Sequence, residues 1–337
     1  MRGPVGCVAA VTYRCSGRCV MCDIWKRPTE QARELAPGDY AWLPASLRSI
    51  NVSGGEPFLR DDLPDVVRVM QRASPRARIV ISTNGLDPAR VERAVALMER
   101  VAVRVSLDAV GPAHDRTRGV AGAYERVVET VARLKALGVS DLGLAATATA
   151  SGEGGELPAV ERLAAELGVA FTASVAHSSP IYFGEQGGER PTSEVVVSDV
   201  ARIMRKRLAS PKPSDWAKAY YLRGLVEYVR RRPRMLPCGA GEDHFFLDPW
   251  GDVYPCNVNG LRMGNIREGS FEELAARSRD AVREGVAGCR EQCWMVCTVS
   301  PPMRRRPVRP AAWIAGAKLL GLDTKPDRTT GGGRSAS

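Results

Sequence analysis

Histidine is scarce in this chain, with three in 337 residues, and aromatic side chains make up only 6%. Metal sites built on imidazole, and nucleic-acid surfaces built on regularly interleaved aromatics, therefore have little to draw on. No run approaches the roughly 20 apolar residues that cross a bilayer. The best candidate, 311–322, is short and contains Lys318, so a membrane span is excluded and peripheral contact is not. The opening MRGPVGCVAAVTYRC lacks the basic-then-apolar pattern of a secretory signal, and nine Cys, an odd number, cannot all pair as disulfides. A cytoplasmic chain is the expectation. With 44% hydrophobic residues there is enough apolar material for one large core or two medium ones, which rules out a disordered polypeptide. Lys plus Arg exceed Asp plus Glu by 48 to 38, a net charge of +10 that suits an anionic substrate or a polynucleotide and proves neither.

Cysteine is also absent from the long stretch between Cys22 and Cys238, so the thiols form two separate groups with Cys7 left over. Cys15-x3-Cys19-x2-Cys22 follows the apolar stretch 5–13 and can bring three thiolates onto one inorganic cluster. Structural zinc normally takes four ligands, and the local supply stops at three. Downstream, the expected strand 49–53 ends in Ser53-Gly54-Gly55-Glu56-Pro57. The triad and this segment, in this order, resemble the radical S-adenosylmethionine (SAM) superfamily. The resemblance implies that Cys15, Cys19 and Cys22 hold three irons of a [4Fe–4S] cluster whose open iron is chelated by the amino and carboxylate groups of SAM. It also implies that Gly54, Gly55 and Glu56 meet the methionyl amino group, and that Ser82, Thr83 and Asn84 lie near the SAM ribose and carboxylate. Ser106 and Asp108 match another polar strand end facing the cofactor; ordinary loop capping is the competing role for these strand-tip residues. Met21 stands where the family often has an aromatic beside adenine, and it can fill the same apolar space.

Short β-branched runs at 5–12, 49–53, 78–82, 101–107, 141–147 and 170–176 read as strands. Helical patterns at 63–72, 88–98, 123–137 and 157–167 alternate with them, as in the spacing of Val127, Val131, Leu134 and Leu137. The expectation is an α/β fold: a partial (β/α)6 TIM-like barrel over 1–193, with chemistry at the strand C-termini. The segment 182–192 reads as a loop or lid. Helices at 194–208 and 214–232 form a bridge over 194–234, and a C-terminal cysteine-rich auxiliary-cluster domain covers 235–300. Residues 301–337 read as an extended segment with Arg304, Arg305, Arg306 and Arg309, a short helix at 311–320 and a disordered tail at 324–337.

In that second region, Cys238 precedes Gly251-x4-Cys256, and Cys289-x3-Cys293-x3-Cys297 follows an expected helix at 271–284. Residues 248–256 read as a hairpin delivering a thiolate. Five thiols point to a second metal centre, with a zinc-stabilised lobe as the alternative. Within the radical SAM resemblance, Cys238, Gly251-x4-Cys256, Gly264-Asn265-Ile266 and the late cysteines look like a SPASM or twitch extension. The full SPASM arrangement uses more cysteines, for two clusters; five imply one auxiliary [4Fe–4S] cluster on Cys238, Cys256 and two of Cys289, Cys293 and Cys297. Cys7 reads as an inert buried thiol. His114 and His177 stand near strand ends, where a substrate contact and a structural hydrogen bond are both open readings; His244 goes with the auxiliary lobe.

The resemblance implies an enzyme that accepts one electron from a donor such as flavodoxin or ferredoxin, cleaves SAM to a 5′-deoxyadenosyl radical and abstracts hydrogen from its substrate. The preferred substrate is a small polar metabolite of sugar, aminocyclitol or nucleoside type, because the chain starts almost directly at the barrel and leaves no room for a peptide-recognition domain. The outcome is oxidation or a redox-neutral conversion such as decarboxylation or epimerisation. Arg116, Arg118 and the arginines after Pro302 are candidates to neutralise a phosphate or carboxylate. A peptide-maturing enzyme, a tRNA-modifying enzyme and a zinc-stabilised structural or interaction protein are the alternatives. Simple nucleic-acid binding fits least, since finger-type Cys/His spacing is missing.

Overall fold

The computed structural model describes residues 3–150, 152, 154–184 and 190–321; the tail expected at 324–337 lies outside them. Six strands, β1 (Gly6–Thr12), β2 (Ser49–Gly54), β3 (Arg78–Thr83), β4 (Val101–Ser106), β5 (Leu142–Ala148) and β6 (Ala170–Val175), pair in parallel and in chain order. Parallel neighbours need crossovers, and those after β2 to β5 carry α1 (Leu63–Ala73), α2 (Pro88–Val95), α3 (Pro112–Arg118), α4 (Ala123–Ala136) and α5 (Glu156–Glu166). One face of each strand is apolar and packs on these helices: Ile50, Val52, Ile79, Ile81, Val103 and Val105 are all buried there. Each such side chain contributes about 1.5–3 kcal/mol relative to exposure. The alternate positions, Asn51, Ser53, Ser82, Ser106, Thr147, Thr172 and Ser174, are half-buried and line the bore.

The sheet begins at β6 and does not close on itself, which makes this a partial barrel. Its other side departs from expectation. After α6 (Glu194–Ala209) and α7 (Pro213–Val229), the fully buried run β7 (His244–Leu247) pairs in parallel with β1, Gly6 opposite His244 and Ala9 opposite Leu247. β8 (Asp252–Tyr254) and β9 (Gly264–Asn265) then continue antiparallel. The cysteine-rich region thus extends the barrel's own sheet and covers what would be an open edge of β1.

The expected helix 271–284 is two helices, α8 (Phe271–Arg277) and α9 (Arg279–Ala287), meeting at Ser278. A second correction is that the extended segment from 301 is largely helical, in α10 (Val296–Arg305) and α11 (Val308–Leu320). Pro302 offers no N–H to the Thr298 carbonyl. That carbonyl instead accepts from Arg234 Nη2 at 3.0 Å, so the proline is tolerated. Arg305 and Arg306 do not approach the barrel mouth: both pair with Asp243, at 3.0 and 2.8 Å, at the N-terminal end of β7. No helix among the described residues is long and apolar enough to cross a membrane.

Candidate functional site

The chain leaves β1 through buried Tyr13 into a loop that carries Cys15, Cys19 and Cys22, all free and half-buried. α3 pins this loop, with Arg18 N donating to Arg118 O and Val20 N to Thr117 O. Gly17 sits between two thiols: a Cβ there would be 3.4 Å from Cys19 Sγ and 3.8 Å from Cys15 Sγ, in the space a cluster shared by those sulfurs needs. Burial raises the Cys15 thiol to about 12 and Cys22 to about 11. Without a cation the thiolates are therefore disfavoured, and binding iron here displaces protons. Three thiols around such a cradle fit an iron–sulfur cluster with one iron left open.

Gly54 and Gly55 are required by the backbone around them. Gly54 has φ +141°, and a Cβ on it would lie 2.1 Å from Thr12 O; one on Gly55 would lie 2.2 Å from Arg14 O. These contacts let Gly55 N and Glu56 N, each at 2.8 Å, donate to Thr12 O and Arg14 O, which clamps the β2 tip onto the start of the cysteine loop. Glu56 is buried and braces the neighbouring tip: it accepts from Thr83 Oγ1 at 2.8 Å, Asn84 N at 2.6 Å and Phe58 N at 3.2 Å. Burial outweighs these bonds and moves its carboxyl up to about 7. Asn84 Nδ2 reaches Ser16 Oγ at 3.1 Å and Cys15 Sγ at 3.9 Å. Ser82 Oγ donates to Asn51 Oδ1 at 3.0 Å, and Ser106 lies half-buried on the same inner face.

Asp108 pairs with Arg118 at 2.8 Å and accepts from Thr147 N at 2.9 Å. Arg118 Nη1 in turn points at Cys19 Sγ, 3.6 Å away. Burial disfavours the Arg118 cation, but Asp108 and the Cys19 sulfur more than compensate and hold it charged. Of the two arginines expected to meet an anion, then, Arg118 belongs to the cysteine loop, and Arg116 is exposed. His114 is fully buried, its Nδ1 accepting from Asp108 N at 3.1 Å, and burial lowers it to about 4: a neutral, structural imidazole.

The second thiol group forms around a small apolar cluster that gathers Cys238, Cys256, Cys293 and Cys297 with Ala240, Val258 and Met295. Cys289 is half-buried and outside that cluster. Burial raises Cys293 to about 11 and Cys297 to about 12, while Arg234 pulls both down. Arg234 donates to Cys293 O at 2.5 Å, Thr298 O and Leu236 O, and its Nη1 is 3.6 Å from Cys293 Sγ. Among the described residues no three His, Cys, Asp or Glu side chains converge as tightly as a single ion demands.

Two aromatic residues that the sequence did not single out, Tyr182 and Phe183, join the two groups. Tyr182 Oη is 2.6 Å from Ser53 Oγ and 3.1 Å from Gly54 N, and Phe183 O accepts from Asp23 N at 2.7 Å. The two rings touch, 4.5 Å between centroids. Tyr182 packs in a cluster with Cys15, Cys22 and Cys297, and Phe183 reaches Cys238 and Cys256 as well. His177 is a strut between lobes: Nδ1 bonds Val175 O at 2.6 Å, Nε2 accepts from Trp294 N at 3.2 Å, and burial holds the ring near 4. His244 is buried on β7. For Tyr182 and Phe183 the only signal was the Gly and charge content of 182–192; for His177 the structure selects the structural hydrogen bond of the two open readings.

The model of the radical SAM superfamily matches residues 10–153, and that of an iron–sulfur cluster-binding domain, SPASM, matches 238–298. This chain is a radical SAM enzyme with a SPASM extension, and its cofactors are SAM, the [4Fe–4S] cluster that binds it and auxiliary iron–sulfur. It is 26% identical over 309 residues to a PqqA peptide cyclase of Xanthomonas axonopodis pv. citri, covering 86% of this chain and 79% of that one. An AdoMet-dependent heme synthase of Methanosarcina barkeri is 27% identical over 290 residues, covering 78% of this chain and 80% of the other. Streptococcus suis SuiB, solved bound to precursor peptide SuiA, shares the fold at a TM-score of 0.59 and 14% identity over 82% of this chain; the match spans 65% of the SuiB chain.

Proposed function

We propose that this enzyme modifies a peptide, with Cys15, Cys19 and Cys22 holding the SAM-binding cluster and Cys238, Cys256, Cys293 and Cys297 holding one auxiliary [4Fe–4S] cluster. The observation that carries the peptide reading is the likeness to the peptide cyclase, which runs through both cysteine regions. It favours a peptide over the small polar metabolite expected from the sequence. When bound, cluster and SAM supply a one-electron cleavage that yields a 5′-deoxyadenosyl radical able to take hydrogen from a C–H bond.

The protein's own residues orient and shield that chemistry. Gly54, Gly55, Ser82, Asn84 and Ser106 are assigned to direct contact with SAM, since their backbones or side chains share the mouth with the cysteine loop. Glu56, with both oxygens bonded to neighbouring tips, and Asp108, paired with Arg118, act as positioning residues. Tyr182 and Phe183 wall the space between the thiol groups against water, and Arg118 and Arg234 each hold a positive charge on one cysteine sulfur.

The test is anaerobic turnover of the reconstituted protein with SAM, a reductant and deuterated synthetic peptides encoded beside its gene. Deuterium in 5′-deoxyadenosine is the expected result. Label arriving only from a deuterated aminocyclitol, nucleoside or tetrapyrrole would replace the peptide with a small molecule, which the heme synthase likeness makes the competing outcome.

A further inference from the structure

A second recess opens on the same C-terminal side of the barrel, where Ser178 leaves β6, and it is polar where the bore is mixed. It encloses about 530 Å³ between Arg190, Tyr228 at the end of α7, Arg231 and the stretch Arg290, Glu291 and Gln292. Three arginines line it beside a single acidic residue, Glu291. None of the three has an acidic partner among the described residues; Arg190 donates to Tyr228 O at 3.4 Å and Glu291 O at 2.5 Å. Its guanidinium lies 3.9 Å above the Tyr228 ring, which stacks at 4.4 Å on His177. The cation is therefore fixed in place before any ligand arrives.

An independent observation comes from the backbone. Only three non-glycine residues among those described have positive φ, and two of them, Arg231 at 56° and Gln292 at 49°, line this recess. Arg231 takes that conformation as the left-handed cap of α7, with Arg232 N closing back on Glu227 O at 2.9 Å, so the helix end fixes the backbone of this wall; Gln292 has no such helix end to account for it. Gln292 is held in its pose by Arg234 N, which donates to its side-chain oxygen at 2.9 Å.

We infer that this recess binds a carboxylate of the peptide substrate, carried on an acidic side chain. The assignment rests on the peptide-modifying reading and names a feature of that substrate. A planar carboxylate matches the guanidinium fork through paired N–H donors. A polynucleotide instead needs a stripe of cations along its backbone, whereas these three arginines close around one pocket that also presents Glu291.

The experiment measures binding without turnover. A rhodamine-labelled octapeptide containing three glutamates, and its glutamine twin, are titrated by fluorescence anisotropy into the cluster-loaded enzyme and into its Arg231→Gln/Arg290→Gln variant. A single-stranded RNA octamer serves as the third probe. The glutamate peptide is expected to bind about tenfold more tightly than its twin, and the variant to lose most of that difference. Equal binding of the twins to the wild type overturns the proposal without any variant having to fold, and so does an RNA that binds more tightly than the glutamate peptide. The outcome is separable from that of the function: a glutamate preference in a protein that takes no deuterium from any peptide would strike the peptide reading alone. Equal twins in a protein that does take it would strike this recess alone.

Discussion

The two cysteine sites solve the same problem with opposite means. The first hangs on a loop at the barrel mouth, with three half-buried thiols, two of them beside Gly17. The second is packed into an apolar cluster, with Cys256 and Cys293 buried and Trp294 seated so closely on α7 that a Cβ on Gly224 would lie 1.9 Å from its ring. Each site sets one arginine 3.6 Å from a cysteine sulfur. At the mouth, Asp108 neutralises Arg118; in the second site Arg234 is surrounded by carbonyls and keeps its charge uncompensated. An accessible site with a neutralised cation suits a centre that must exchange its ligand. A buried site with a net cation suits one that stores or relays an electron.

The largest expected effect separates the sites outright. Replacing Cys15, Cys19 and Cys22 together with Ala should reduce 5′-deoxyadenosine to background while leaving about half the iron, because the second site keeps its own thiols. The Cys256→Ala/Cys293→Ala pair should also leave about half the iron, yet retain SAM cleavage and lose modified product. Iron content, 5′-deoxyadenosine and product mass on the two variants check this. If the second pair also abolished SAM cleavage, the sites would not be independent.

Smaller and unequal effects are expected from the arginines. Arg118→Met leaves the buried Asp108 carboxylate without its partner and should cost about 3–5 kcal/mol of stability, read by chemical denaturation. Arg234→Met strands no carboxylate. Its signature is a lower reduction potential for the auxiliary cluster, by on the order of tens of millivolts, because a cation and an N–H donor leave the Cys293 sulfur. Redox titration followed by electron paramagnetic resonance in the triple-Ala background isolates that signal. Equal potentials with and without Arg234 would remove the distinction drawn between the two arginines.

Much of this was legible from residue order. The six parallel strands follow from β-branched runs of period two between helical patterns, and the triad with Gly54 and Gly55 pointed to the mouth because those types have few other uses in that order. The reason for the glycines was less visible: they admit Thr12 O and Arg14 O, backbone atoms that carry no sequence signal. The expected hairpin covers 248–256 and His244 is placed only in the auxiliary lobe; that His244–Leu247 is a strand paired with β1 depends on tertiary burial that a local pattern does not encode. The segment from Pro301 reads as extended, and the carbonyl that Pro302 leaves without its helical donor is taken by a distant side chain, Arg234. Asp108 was visible as a polar strand-end residue and Arg118 as a cation for an anionic group, but their pairing with each other took the fold to reveal.

That shared sheet makes the last prediction a test of whether the two regions are separate at all. Glu56 braces the first site and Asp248 the hairpin of the second, where its Oδ1 accepts from Trp250 N and Asp252 N, both at 2.9 Å. Burial raises each carboxyl to about 7, from ordinary values of 4.5 and 3.8, against the pull of the amide donors. Both groups therefore hold a proton in the folded chain that the unfolded chain has lost. Their contribution is fully present below about pH 4 and disappears as pH rises to 7, at most about 3–4 kcal/mol for each. Asp248→Asn keeps the accepting oxygen and removes the charge, so thermal melts between pH 4.5 and 7.5 should lose part of their slope. Glu56→Gln should do the same. Because β7 pairs with β1, both substitutions are expected to act on one common transition. Two transitions, with Asp248→Asn altering only one of them, would mean that the β1–β7 ladder does not couple the lobes and that the auxiliary centre melts on its own.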